Sequence, residues 1–145
     1  MSSENPAGGS PHDILGYLLK HANWRLVEIT DAALQPLGID NKAYGVLRIL
    51  VWQKPMSQQQ VAQTLGVDRT TMVALFDALE AQQIVTRRPD PQDRRRNVVE
   101  LTDSGRKLFR RADQAYQAAE REFLAPVDAA DGEQLRQTLR TLLGE

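Results

Sequence analysis

From residue 13 onward the apolar positions recur at helical spacing. Ile14, Leu15, Leu18, Leu19, Ala22, Leu26, Ile29 and Ala33 fall three and four apart, marking one face of a long helix that ends near Pro36 to Gly38. Asp40 suits an N-cap for a helix carrying Tyr44, Leu47, Leu50 and Val51, which Pro55 closes. Ser57 with Gln60 three residues on is the pattern of a capping box, opening a short helix that offers Val61, Ala62 and Leu65 to a core. Gly66 supplies a permissive turn. Asp68 then caps a helix whose apolar stripe is Met72, Leu75, Phe76 and Leu79, leaving Arg69, Thr70, Thr71 and Ala74 on the remaining surface. Two helices joined by Gly66, Val67 and Asp68 are the sequence form of a helix-turn-helix.

The period then shortens. Ile84 to Arg88 and Asn97 to Leu101 carry β-branched residues and are separated by Pro89, Asp90, Pro91, Gln92, Asp93 and three arginines, which predicts a two-stranded hairpin with a long charged tip. A lone hairpin is marginal, so it must lean on the preceding helices. Thr102 caps a further long helix lined by Leu108, Ala112, Ala115, Ala119 and Phe123, with Pro126 at its end. Leu135, Leu139, Leu142 and Leu143 mark a last helix.

These elements predict a mainly α chain with a small β-hairpin. Residues 1–12, with two prolines, two glycines and three serines, read as a disordered arm. Residues 13–145 form a single domain, in which a central lobe at 39–101 is flanked by helical segments at 13–38 and 102–145. Both flanking segments carry apolar stripes that a compact core of this size does not need. They require a partner, and a second copy of the chain is the simplest one.

Composition narrows the class. The 145 residues are 41% hydrophobic and 26% charged, which is the balance of an ordinary soluble domain. No apolar run approaches the ~18 residues of a membrane span, and the first residues lack the apolar middle of a secretory signal, so a cytoplasmic location is expected. With no cysteine there is no disulfide framework and no thiolate metal site. Only two histidines are present, with no His-x-x-x-His spacing, so neither a metal nor another cofactor is implied. Nucleophile elbows, phosphate-binding glycine loops and dinucleotide turns are also missing from the sequence, and no enzymatic activity is expected.

The net charge of −1 hides an uneven distribution. Residues 69–111 hold ten basic against six acidic side chains (+4), whereas residues 112–145 hold three against seven (−4). A localised positive segment is the pattern of a polyanion contact. Thr70, Thr71 and Ala74 suit a helix in the major groove of double-stranded DNA, and Arg69 is either a base reader or a phosphate contact there. Arg94, Arg95 and Arg96 give the hairpin tip guanidinium groups that match phosphates and a narrow minor groove, with Asp93 beside them to hold an arginine in place. Ser57 and Gln58, opening the first helix of the pair, join the candidate DNA contacts.

The order and spacing of Val67 to Leu79, Ile84 to Arg88, Asp90-Pro91-Gln92-Asp93-Arg94-Arg95 and Val99-Glu100-Leu101-Thr102-Asp103-Ser104-Gly105-Arg106 resemble the winged helix-turn-helix of the multiple antibiotic resistance regulator (MarR) family. The flanking helices match as well, so the resemblance covers nearly the whole chain after residue 12. It implies a homodimeric transcription regulator, most often a repressor, with one helix of each copy in successive major grooves of a near-palindromic operator and its wings in the minor groove. It also implies a small phenolic or aromatic effector that weakens DNA binding, and it makes Asp93 and Arg95 the wing aspartate and arginine. Three positions depart from the family pattern: Ala74 and Ala78 stand where basic residues are common, and Gln83 stands where glycine commonly follows the recognition helix.

Tyr17, His21 and Trp24, with Arg25 beside them, make an aromatic and polar face on the first helix. Tyr44 and Arg48 are four apart on the second and suit the opposite wall of a ligand cleft; the same residues also suit plain packing with satisfied polar tips. The competing functional reading is a helical interaction adaptor that keeps this architecture without reading DNA, motivated by Ala74, Ala78 and an overall pI of about 6.1.

Overall fold

The computed structural model describes residues 9–52 and 56–145. Six helices and three short strands follow one another as α1 (Leu15–Leu34), α2 (Asn41–Trp52), β1 (Met56–Ser57), α3 (Gln58–Leu65), α4 (Arg69–Ala81), β2 (Val85–Pro89), β3 (Asn97–Leu101), α5 (Asp103–Leu124) and α6 (Ala129–Leu143). The cap signals sit where the side chains demand. Asp40 Oδ1 accepts from the Ala43 amide, Ser57 and Gln60 close a reciprocal capping box, and Asp68 and Thr102 each accept from an amide of the following turn. Gly38 and Gly66 end their helices in the left-handed conformation. The expected end of α2 at Pro55 lies outside the described residues.

The core gathers around the helix-turn-helix. Phe76 and Met72 of α4, Leu47 and Leu50 of α2, Val61 of α3, and Val85 and Val99 of the sheet are almost wholly buried. The hairpin leans on a third strand that the sequence pattern does not show: β3 pairs antiparallel with β2 on one edge (Val85 opposite Leu101, Arg87 opposite Val99) and with β1 on the other (Met56 opposite Val99). The expected hairpin of β2 and β3 is present, and β1 extends it to three strands. Two residues are too few to show a period, and β1 exists because β3 has a free edge to pair with.

The first of the described residues have local structure. Residues 1–8 lie outside the description, but Pro11–Asp13 form a 3-10 turn opened by Ser10, and the His12 ring meets Tyr17 edge-on at 5.1 Å. The serine cap and the ring contact give residues 10–13 partners of their own.

Only Thr30 and Leu34, at the end of α1, are buried on that helix. The Thr30 hydroxyl donates to the Leu26 carbonyl and accepts from Asn41 Nδ2, which also donates to Asp31, so the start of α2 is tied to the end of α1. At the start of α1, Leu15, Leu18 and Leu19 are exposed together with Ile14 just before it, as are Leu135, Leu142 and Leu143 on α6. No helix among the described residues is long and apolar enough to cross a membrane.

Candidate nucleic-acid interface

The helix-turn-helix and the hairpin present one continuous face. The α4 stripe of Met72, Phe76 and Leu79 faces the core, which turns Arg69, Thr70 and Ala74 outward. Thr71 lies closer in, its hydroxyl and amide both donating to Asp68. The Thr71 contact holds the Asp68 carboxyl below the usual carboxylate range, as the charged form is the better cap. Beside this helix a groove of about 650 Å³ is lined by Gln58, Gln63, Arg69 and Met72 on one wall and by Arg95, Arg96 and Asn97 on the other.

The tip of the hairpin is built outward. Its neck is closed where the Asp90 amide donates to the Arg96 carbonyl, and Asp93 gathers the turn, accepting from the Arg95 amide at 3.1 Å while its carboxylate lies 3.7 and 3.6 Å from the Arg95 and Arg96 guanidiniums. The Arg95 side chain remains 96% exposed. A carboxylate thus orders the base of the turn and leaves the guanidinium groups facing solvent, which is the arrangement a polyanion requires.

Two expected contacts are already engaged inside the fold. Ser57 is buried and its hydroxyl accepts from the Gln60 amide, so it serves as a cap. Gln58 accepts from Arg87 Nη1 through its amide oxygen. Arg87, which sequence reasoning passed over as a strand residue, also donates to Asp77 and Glu80 of α4, at 2.5 and 3.1 Å. This side chain joins β2, α3 and α4 and fixes the recognition helix against the wing. Its hydrogen bond depresses the Glu80 carboxyl. The sequence signal was available, since Asp77 and Glu80 are three apart and a basic strand follows them. Val73 was passed over too, and it is exposed on the outer side of α4.

A second concavity, of about 570 Å³, lies between α2, α5 and α6 and is lined by Tyr44, Arg48, Tyr116, Arg121, Arg136 and Arg140 among others. Tyr44 stacks on Tyr116 at 4.4 Å between ring centroids. Its hydroxyl donates to Asp113 Oδ1 at 2.7 Å, and Arg48 donates to both. Burial, followed by the bond to Asp113, pushes the Tyr44 phenol far above its ordinary range, and burial also raises the Tyr116 phenol. The site therefore offers an aromatic wall and four guanidiniums, of which Arg48 is paired with Asp113 and Arg136 with Glu120, while Arg121 and Arg140 suit a planar anion.

Tyr17, His21, Trp24 and Arg25 do not line this concavity. The first three form a ladder along the exposed side of α1, with ring centroids 4.0 and 4.8 Å apart and the Lys20 ammonium 4.8 Å from the Trp24 ring. The expectation that they oppose Tyr44 and Arg48 within one chain is corrected: α1 meets α2 through its carboxy-terminal end, and the ladder lies on a face that this chain leaves uncovered.

Comparison with known proteins gives a consistent result. A family model described as "MarR family" matches residues 37–96. The chain is 31% identical over 110 residues to the HTH-type transcriptional repressor NicR of Pseudomonas putida, covering 74% of this chain and 70% of the relative. A MarR family transcriptional regulator from Rhodococcus sp. RHA1 superposes with a TM-score of 0.87 at 29% identity, covering 93% of this chain and 96% of that one. CouR from Rhodococcus jostii RHA1, solved with p-coumaroyl-CoA, superposes with a TM-score of 0.80 at 30% identity over 93% of this chain and 95% of its own. The same repressor bound to a 23-mer DNA duplex gives 0.82 at 28%, over 92% and 94%.

Proposed function

The chain belongs to the MarR family of winged helix-turn-helix transcription regulators, and we propose that it is a homodimeric repressor that reads a near-palindromic operator and releases it when a small aromatic or phenolic ligand binds. Family membership makes it a regulator and not an enzyme. The observation that carries the reading is the shared outward face of α4 and the arginine tip, with a groove between them. In this reading Arg69, Thr70 and Ala74 meet the major groove, Arg94, Arg95 and Arg96 meet phosphates and the minor groove, and Ser57 and Gln58 support them through the cap and through Arg87.

Dimerisation is supported by exposed apolar side chains, Ile14 before α1, Leu15, Leu18 and Leu19 on α1, and Leu135, Leu142 and Leu143 on α6. A two-fold axis places the recognition helices about one DNA turn, ~34–36 Å, apart. The stacked tyrosines and arginines around Arg48 support a ligand that is both aromatic and anionic, and the p-coumaroyl-CoA bound by CouR supports a phenolic one. Such a ligand releases DNA only if it binds the DNA-incompatible spacing of the two lobes more tightly than the compatible one. A cytoplasmic location accompanies this function.

The test is a titration of purified protein against duplexes from the region upstream of its gene, with sedimentation analysis of the protein alone. A dimer that retains a preferred duplex over random DNA at physiological salt is expected. A lone subunit, or binding that is weak and erased by salt whatever the sequence, overturns the proposal.

A further inference from the structure

The outer face of α4 has a chemistry that narrows what it reads. Arg69 is its only cation, and none of its 13 residues is Asn, Gln or Lys. The side chains that form bidentate hydrogen bonds with guanine or adenine are therefore reduced to one, on the first turn. The two carboxylates of the helix, which otherwise accept from the cytosine amino group, both accept from Arg87. What remains for base edges is the Thr70 hydroxyl and, beyond it, methyl surface. Thr70, Val73 and Ala74 lie together at helical spacing, all exposed, opposite the buried Met72, Phe76 and Leu79. Val73 is 37% exposed on a helix whose other large apolar side chains face the core. Its branched side chain has one strongly preferred rotamer in a helix, so it presents two methyl groups in a fixed place.

We infer that Val73, flanked by Thr70 and Ala74, is a specificity-determining residue that reads the thymine C5-methyl group in each half-site. The thymine methyl is the one apolar feature among the base edges of the major groove, and an apolar contact there needs no hydrogen-bonding partner. Arg69 and the wing then supply position and affinity, and the methyl patch supplies discrimination. This inference rests on the DNA-binding reading given above.

The experiment selects a preferred duplex from a random-sequence library with the full-length protein, then replaces each thymine of that duplex with deoxyuridine, which removes only the methyl group. One replacement in each half-site is expected to weaken binding by about fourfold, the equilibrium equivalent of one buried methyl-sized group. In V73A the same replacement is expected to cost nothing, while V73T, which keeps one methyl, retains part of the penalty. Exposure of position 73 keeps both variants folded, which a thermal melt checks. A selected duplex without half-site thymines, replacements that cost nothing in the native protein, or a penalty that persists in V73A overturns the assignment while leaving DNA binding intact. Failure to bind any duplex overturns the DNA-binding reading itself, so the two failures are told apart.

Discussion

Gly105, in the first turn of α5, stands so close to Ile84 that a Cβ there would lie 2.2 Å from the Ile84 carbonyl oxygen. The same carbonyl accepts from the Thr102 amide at 3.0 Å and from the Thr102 hydroxyl at 3.1 Å. The turn that ends the recognition helix is thereby seated on the amino terminus of the long α5, which runs on to the Arg48 site. Gly105→Ala is expected to cost about 1–3 kcal/mol, because the atom in the way is backbone and cannot rotate aside. A fall in the denaturant midpoint checks this, and an unchanged midpoint contradicts the close approach.

Gln83 occupies this turn with φ of 61°, the one non-glycine residue at positive φ among those described. The Thr102 hydroxyl bonds its carbonyl at 2.6 Å, so tertiary contacts hold the conformation in place. Replacement by glycine removes the strain at a cost in chain entropy, and a net gain of about 0.5–1 kcal/mol is expected. A melting temperature that rises for Gln83→Gly and falls for Gln83→Val confirms the strain.

The wing makes an electrostatic prediction. Because the Arg95 guanidinium is almost fully exposed and its Asp93 contact is long, its charge is free to displace counterions from DNA. Arg95→Ala is expected to weaken binding more than tenfold at fixed salt and to flatten the salt dependence by about one unit. Unchanged affinity and slope remove the wing from the mechanism.

Tyr44 links the second concavity to pH. Its phenol is raised in the folded state by burial and by the bond to Asp113, so the contribution of the neutral phenol is fully present below the unfolded pKa of about 10. Above that pH the unfolded chain ionises while the folded one stays neutral, and stability falls. Stability measured by urea unfolding is expected to drop more steeply between about pH 9.5 and 11 in the native protein than in Tyr44→Phe. Equal slopes contradict the burial of this hydroxyl.

Local signals were legible wherever a side chain acts on its own backbone or on a periodic face. Asp40, Ser57 with Gln60, Asp68 and Thr102 announce their helices because a cap needs only the next three residues, and the stripe from Met72 to Leu79 announces which side of α4 is buried. The arginine tip was legible for the same reason, since proline, aspartate and arginine in series leave nothing to bury.

What the sequence left open depends on partners far away along the chain. Strand β1 exists only because Val99 offers it an edge, 43 residues on from Met56. Arg87 reads as an exposed strand cation until α4 brings Asp77 and Glu80 to it, and this capture is what leaves Val73 and its methyl neighbours to define the outer face. Likewise the ladder of Tyr17, His21 and Trp24 and the pair of Tyr44 and Arg48 suggest one cleft by residue type, whereas packing in three dimensions puts them on different surfaces. The chain order alone therefore determined the helices, their caps and the charged tip, through interactions a few residues long. Tertiary structure decided which polar groups remained available to a partner, because that depends on which of them had already found one another.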